Sequence, residues 1–449
     1  MENDTAVRAW LPNQESYIET TQEFSPLASS NLDPELDDGV NMLRKEDDTL
    51  HVPSSSRQRE ASVYELILFF GCGMGSSLCY IATLSSLVYF MMQYGANSYV
   101  YLNVAVYFPF VPISLAQARW DQNMDKIYGS VRTYISRGIV GFVLSIAGTL
   151  LVLHVSGPGV LVISAVLQGS GGAVLLGSLN QMSSFVETNT SGRLKAAVSA
   201  GGQASALVIL ILSLATGFGS SGSSNHLKTF FTTVTLLELI CLAMFLVLMT
   251  CRSAVATSML RRDSSILEMD PLLQESDQDG QEVQSSTANQ RELSYSKLFE
   301  HTWKCCIILL ITLIPSFLVG SWFTQVRTDW MQLPQILFYT RIGCDFLGRA
   351  ATTLVIPKSV KNLSYLSFGR LVPVAMFFIN SSIPWQGSDI CSILLVGSIA
   401  FLSGYLVTGC FQLAPGMLQS DIRDTNVARQ TSLLNVAFSF AAFGGILLS

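Results

Sequence analysis

Apolar residues along this chain fall in long runs, parted by short polar or turn-like flanks. A bilayer core of about 30 Å needs about 20 apolar residues per helix. On that scale the runs predict spanning helices at 64–90, 98–118, 131–154, 158–184, 196–218, 229–251, 302–324, 332–356, 364–384, 390–414 and 427–449. The flanks carry turn residues, as in Gly95-Ala96-Asn97-Ser98, Ser156-Gly157-Pro158 and Gly217 through Asn225. The expected fold class is therefore an all-α polytopic membrane protein of eleven helices in a six-plus-five arrangement. Residues 63–251 form the first bundle and 302–449 the second. The polar loop 252–301 between them, and the tail 1–62, cannot bury enough apolar surface to fold alone and are expected to be disordered.

Composition sharpens the picture. The 449 residues are 49% apolar and only 13% charged, where soluble domains carry about 25%. Residues 1–62 hold 13 acids and 5 bases, and 252–301 hold 9 acids and 5 bases. The net charge of −6 thus conceals a slightly basic membrane body with two acidic appendages. This excludes a soluble globular enzyme and argues against a nucleic-acid polymer as partner. Basic residues set the orientation. With the amino terminus cytoplasmic, inside loops hold Arg119, Lys126, Arg193, Lys195, Arg261, Arg262, Lys358, Lys361 and Arg423, and outside loops only Lys228 and Arg327. The carboxyl terminus then lies outside or in a lumen. The polar start reads as no cleavable signal, so the first apolar segment serves for insertion.

Nine Cys without a CxxC spacing and four scattered His suggest neither a disulfide framework nor a metal site. No GxSxG, P-loop, HExxH or paired-carboxylate pattern appears, so neither catalytic residues nor a cofactor are expected. Gly71-Cys72-Gly73-Met74-Gly75 sits inside the first span, where it marks close packing or a flexible point.

Charges in the lipid interior cost at least about 2.5–3.5 kcal/mol each and so carry the functional hypotheses. Glu238 lies mid-way along the sixth span, as either a proton carrier or a neutral core residue. Arg341, Asp345 and Arg349 in the eighth are spaced i, i+4, i+8 and share one helix face. A guanidinium fork beside a carboxylate suits vicinal hydroxyls or a heterocycle edge, although the charges could merely tie helices together. The amides Gln168 and Gln203, beside Gly and Ser, fit either solute contact or helix packing, and Asn435 fits packing.

These residues resemble the equilibrative nucleoside transporter family. Arg341-Ile342-Gly343-Cys344-Asp345-Phe346-Leu347-Gly348-Arg349 is similar to that family's eighth-span Asp-x-x-Gly-Arg signature. Gly404-Tyr405-Leu406 with Pro415, Ala165 through Ser170, Ser199 through Ala204, and Pro315 resemble its tenth-, fourth-, fifth- and seventh-span motifs. The resemblance implies a major-facilitator-like arrangement less one helix. It also implies a nucleoside or nucleobase substrate bound by Asp345, Arg349 and Gln168, with facilitated diffusion or proton coupling. Two departures stand out. Ser77, Leu78 and Cys79 replace the family's first-span Pro-Trp-Asn, removing an aromatic wall, and Arg341-Ile342 replaces Phe-Asn. The added Arg341 either favours a more anionic or polar substrate or is neutralised by Glu238.

Glu268, Leu272 and Leu273 form an acidic dileucine, a sorting signal that cytoplasmic adaptors could read. It suggests an endosomal, lysosomal or vacuolar membrane as an alternative to the plasma membrane. The rival readings are a facilitator-type carrier of another polar organic solute and a non-transporting receptor or scaffold.

Overall fold

The computed structural model describes residues 62–95, 98–186, 192–218, 224–250, 293–326, 333–382, 388–418 and 420–448, with 255, 257 and 259. The dileucine residues Glu268, Leu272 and Leu273, and almost all of the two acidic segments, lie outside the described residues.

Every regular element among the described residues is a helix. Helix α1 (Val63–Ser85) opens with a capping box: the Glu65 amide donates to Ser62 Oγ at 3.2 Å and the Ser62 amide to Glu65 Oε2 at 3.0 Å. A short α2 (Leu87–Tyr94) follows. The second span is split into α3 (Ser98–Tyr107) and α4 (Phe110–Tyr128), with Pro109 at the break, where its missing N–H interrupts the helix ladder. Helices α5 (Ser130–Val152), α6 (Pro158–Val186), α7 (Arg193–Ala215) and α8 (Ser224–Leu248) complete the first six spans. Helix α9 (Tyr295–Ser321) begins within the segment expected to be loop, because Ser294 caps it by accepting from the Lys297 amide. Then come α10 (Leu333–Leu354), α11 (Val360–Gly369), α12 (Leu371–Ser382), α13 (Ser388–Leu413) and α14 (Ser420–Leu447). The α11–α12 break falls at Arg370, where Pro373 cannot donate back to Gly369.

Successive spans run up and down, so each half has one apolar core at either end. In the first half, Leu68, Tyr134, Phe185 and Leu248 pack at the Ser62 end, and Phe90, Val152, Leu161 and Phe231 at the other. Leu309, Leu363, Phe411 and Leu434 play the corresponding role in the second half, opposite Val319, Phe323, Leu337 and Phe377. The glycine-rich run of α1 is a packing device. A Cβ on Gly73 would lie 2.4 Å from the Val198 carbonyl oxygen, and one on Gly201 would lie 2.0 Å from that of Phe70. Two glycines thus let α1 and α7 touch backbone to backbone.

Among the described residues, ten helices are long and apolar enough to cross a membrane, with α3–α4 and α11–α12 each counting as one. Helix α10 has 22 residues but falls short on apolar composition, since its centre carries Arg341, Asp345 and Arg349. Against the expected eleven, ten spans stand by composition, and the crossing of α10 belongs to the proposal below.

Candidate functional site

The three charges share one face of α10. Leu347 and Leu354, its most exposed apolar side chains, project from the opposite side, while Phe338, 41% exposed, shares the charged face. The inner face is held close to α13 by glycines. A Cβ on Gly404 would come within 2.2 Å of the Asp345 carbonyl oxygen, and one on Gly348 within 2.0 Å of that of Phe401. That crossing fixes the height at which the charges sit.

Arg349 Nε donates to Asp345 Oδ2 at 2.9 Å, and the two side chains keep 15% and 12% of their surface exposed. The same guanidinium reaches into the first half of the molecule. Its Nη1 donates to Ser199 Oγ at 3.0 Å and to the Ser199 carbonyl at 3.2 Å, both on α7. Ser199 Oγ also lies 2.8 Å from Thr408 Oγ1 on α13. The pair therefore stands at the seam between the two halves. Gln203 is half-buried one helical turn beyond Ser199 on the same side of α7, so it borders the seam as well.

Arg341 occupies the next turn of α10 toward the end remote from Ser62. Its guanidinium carbon lies 5.6 Å from the Phe317 ring centroid. Its Nη1 would be only 1.8 Å from a Cβ on Gly320, so that glycine makes the space it fills. Phe317 meets Tyr107 edge-on across the seam at 5.5 Å, and Tyr107 in turn packs on Tyr80 at 6.1 Å and Phe110 at 6.0 Å. Tyr80 is also within electrostatic range of Arg349. Aromatic surface is thus present at the seam, contributed by Tyr80, Tyr107 and Phe317. Tyr80 directly follows the Ser77-Leu78-Cys79 that stand in place of the expected aromatic motif.

Two expected site residues lie elsewhere. Gln168 is fully buried inside the first half, accepting from Thr83 Oγ1 at 2.7 Å and donating to Thr149 Oγ1 at 3.3 Å. Both amide groups are used by neighbours, and the side chain does not line the seam. Glu238 is also fully buried, on α8 against α1 and α5, with the Cys79 thiol beside it. Apart from that thiol, neither of its carboxyl oxygens has a hydrogen-bond partner among the described residues. Glu238 does not pair with Arg341, so the alternative in which the acid neutralises that guanidinium fails.

Sequence reasoning passed over Arg370. Its guanidinium is fully buried at the α11–α12 break. It donates to the Ile399 carbonyl at 2.9 Å, to the Thr312 carbonyl at 2.7 Å and to Ser316 Oγ. The signal was available, since Arg370 is the sole formal charge between Lys361 and Asp389. Lys195, expected in a loop, is instead buried in the first turn of α7, its Nζ donating to the Phe411 carbonyl at 3.0 Å. At the Ser62 end, Gln181 binds Asp121 at 2.8 Å, Tyr134 at 2.7 Å and Ser432 at 2.7 Å, while Arg137 pairs with Asp121 at 3.0 Å and Asp125 at 3.3 Å. Asn380, at the end of α12, donates its Nδ2 to the Ser388 carbonyl and Ser392 Oγ on α13.

No family model matches the chain, and no curated protein matches its sequence. Solved structures do resemble it. The major facilitator superfamily proton:xylose symporter XylE, bound to 6-bromo-6-deoxy-D-glucose, is 10% identical with a TM-score of 0.56, over 86% of this chain and 88% of that one. The E. coli fucose:proton symporter FucP is 12% identical with a TM-score of 0.45, over 86% and 99%. The likeness to XylE is one of fold. The chain is a multi-pass, all-α membrane protein of major-facilitator-like architecture.

Proposed function

We propose that the protein is a carrier of polar organic solutes, working by alternating access between its first six and last five spans. The observation that carries this reading is the Asp345–Arg349 pair. It sits deep within the helix array yet partly exposed, and it bonds across the seam to Ser199. A charge pair serving only to tie α10 to its own half would not need to reach α7. Solute bound by Asp345, Arg349, Arg341 and Gln203 would bridge the halves, and rocking about it would expose the site to one side and then the other. Helix α10 crosses the membrane in this reading, sheltering its charges in the seam. Gln168 acts as a buried brace, not as a direct contact.

Nucleosides or nucleobases are the narrower substrate class, supported by the family resemblance of α10 and α13 and by rings on which a base could stack. A sugar is the rival, prompted by the likeness in fold to the xylose symporter, since ribose and hexoses both offer vicinal hydroxyls. Glu238 is the candidate proton site: its carboxyl is buried beside the Cys79 thiol, on the α1 face that meets Thr149 and Gln168. The charge asymmetry of the loops supports a cytoplasmic amino terminus.

The test is uptake of labelled nucleosides into proteoliposomes, with nucleosides, nucleobases and hexoses as competitors. Asp345→Asn and Arg349→Ala should each lower uptake at least about tenfold at normal membrane delivery. Undiminished uptake in both would reject the site, and competition by hexoses alone would reject the nucleoside class.

A further inference from the structure

We propose that the transported solute carries an anionic oxygen group, a carboxylate or a phosphate, and that Arg341 is the residue that reads it. The inference rests on the carrier reading above and adds the charge of the cargo.

Four charged side chains lie near the seam on the second half of the molecule: Arg341, Asp345, Arg349 and Arg370. Arg370 is within electrostatic range of both Asp345 and Arg341. Three cations face one acid. Asp345 is engaged by Arg349, and Arg349 has a second partner in Ser199. Arg370 is saturated by two backbone carbonyls and a hydroxyl on α9 and α13. It shows what a structural arginine looks like here: sealed from solvent, with each arm of its fork bonded.

Arg341 is the opposite case. It makes no hydrogen bond and no ion pair among the described residues, and it is only partly buried. Its one assigned partner is the face of Phe317. The acid that could have neutralised it, Glu238, faces α1 and α5 in the other half. Its guanidinium lies over the Phe317 ring of α9, on the side of α10 away from the exposed Leu347 and Leu354. A cation kept inside a membrane protein without a partner is expensive. That cost is tolerable where the partner arrives with the cargo. A guanidinium matches carboxylate and phosphate by two parallel hydrogen bonds, and an excess of positive charge in a cleft concentrates anions there. The ring beneath Arg341 continues through Phe317 to Tyr107 and Tyr80. Charge and stacking surface are therefore adjacent, as a ring-bearing solute with an anionic substituent requires.

The experiment uses the full chain and two matched pairs of solutes: a nucleoside with its 5′-monophosphate, and glucose with glucuronate. Binding is read by thermal shift of the purified protein and transport by counterflow in proteoliposomes, so charge preference is measured independently of flux. In at least one pair the anionic member should bind about tenfold or more tightly than its neutral partner. The phosphate and carboxylate arms show which anion fits. Arg341→Gln should bring that ratio close to one, and Arg341→Lys, which keeps the charge and loses the fork, should leave an intermediate ratio. The Lys variant also serves if the Gln variant does not fold. Equal or weaker binding of both anionic members, or a preference that survives Arg341→Gln, overturns the inference and leaves the carrier reading intact. Charge-dependent binding without flux overturns the carrier reading, and with it the claim that the anion is cargo, and leaves Arg341 as an anion-binding residue. Failure of all four solutes to bind overturns the inference for both anion classes.

Discussion

The two ends of the seam are built from different materials. Toward the Ser62 end the halves are joined by hydrogen bonds between small polar side chains. Asn180 Nδ2 donates to Asn435 at 2.9 Å, Ser184 meets Thr431 at 3.0 Å and Gln181 meets Ser432. Lys195 and Gln412 add bonds to the backbone of the opposite half. Toward the other end the seam holds rings, in Tyr107 on Phe317 and Phe108 on Phe443, together with the unpaired Arg341. Directional bonds latch, whereas ring contacts can slide. The latch is also incomplete: Asn435 Nδ2, Gln412 Oε1 and Gln430 Oε1 are buried without partners among the described residues. Unsatisfied polar atoms lower the cost of opening, which suits a gate that must part on every cycle.

Breaking that contrast should cost most at Gln181, which holds α4, α5 and α14 at once. Gln181→Leu removes one partner each from Asp121, the Tyr134 hydroxyl and Ser432, for a loss of about 1–3 kcal/mol. It should appear as a lower unfolding temperature in detergent and faster alkylation of cysteines placed along the seam. Next comes Gly404→Ala. Its new Cβ meets backbone at 2.2 Å, so α10 and α13 must separate. A cost of about 1–3 kcal/mol and weakened solute binding should show together by thermal shift with and without ligand. Smaller again is Ser199→Ala, which removes one of two Arg349 contacts on α7 and should cost about 1 kcal/mol, read as a several-fold loss in solute affinity. The smallest effect on stability belongs to Glu238→Gln. With only the weak contact to the Cys79 thiol to lose, the amide should cost about 1 kcal/mol, while any stimulation of uptake by a proton gradient should vanish.

Much of the fold could be read from hydropathy, because each span is a run of apolar residues with turn chemistry beside it. The start of α9 escaped because Lys297, Glu300 and Lys304 depress its first three turns; its signal was the cap residue Ser294. On α10 the spacing of Arg341, Asp345 and Arg349 placed them on one face correctly. What no single run reveals is which helix that face meets. Ser199 as the partner of Arg349, and Asn180 as the partner of Asn435, join positions 150 and 255 residues apart. Gln168 illustrates the converse: its glycine-rich setting suited solute contact and packing alike, and only the positions of Thr83 and Thr149 show that packing uses the amide. The rings at the seam come from three separate helices, so no local motif announced them.

The rocking of the halves is open to direct measurement by spin-label distances across the two ends. One pair of labels at Tyr128 and Glu300 reports on the latched end, and another at Met92 and Ile379 on the opposite end; all four positions are exposed. Adding a transported solute should lengthen the first distance and shorten the second by several ångströms in the same population. Distances that stay unchanged, or that rise and fall together, would contradict alternating access about the Asp345–Arg349 seam.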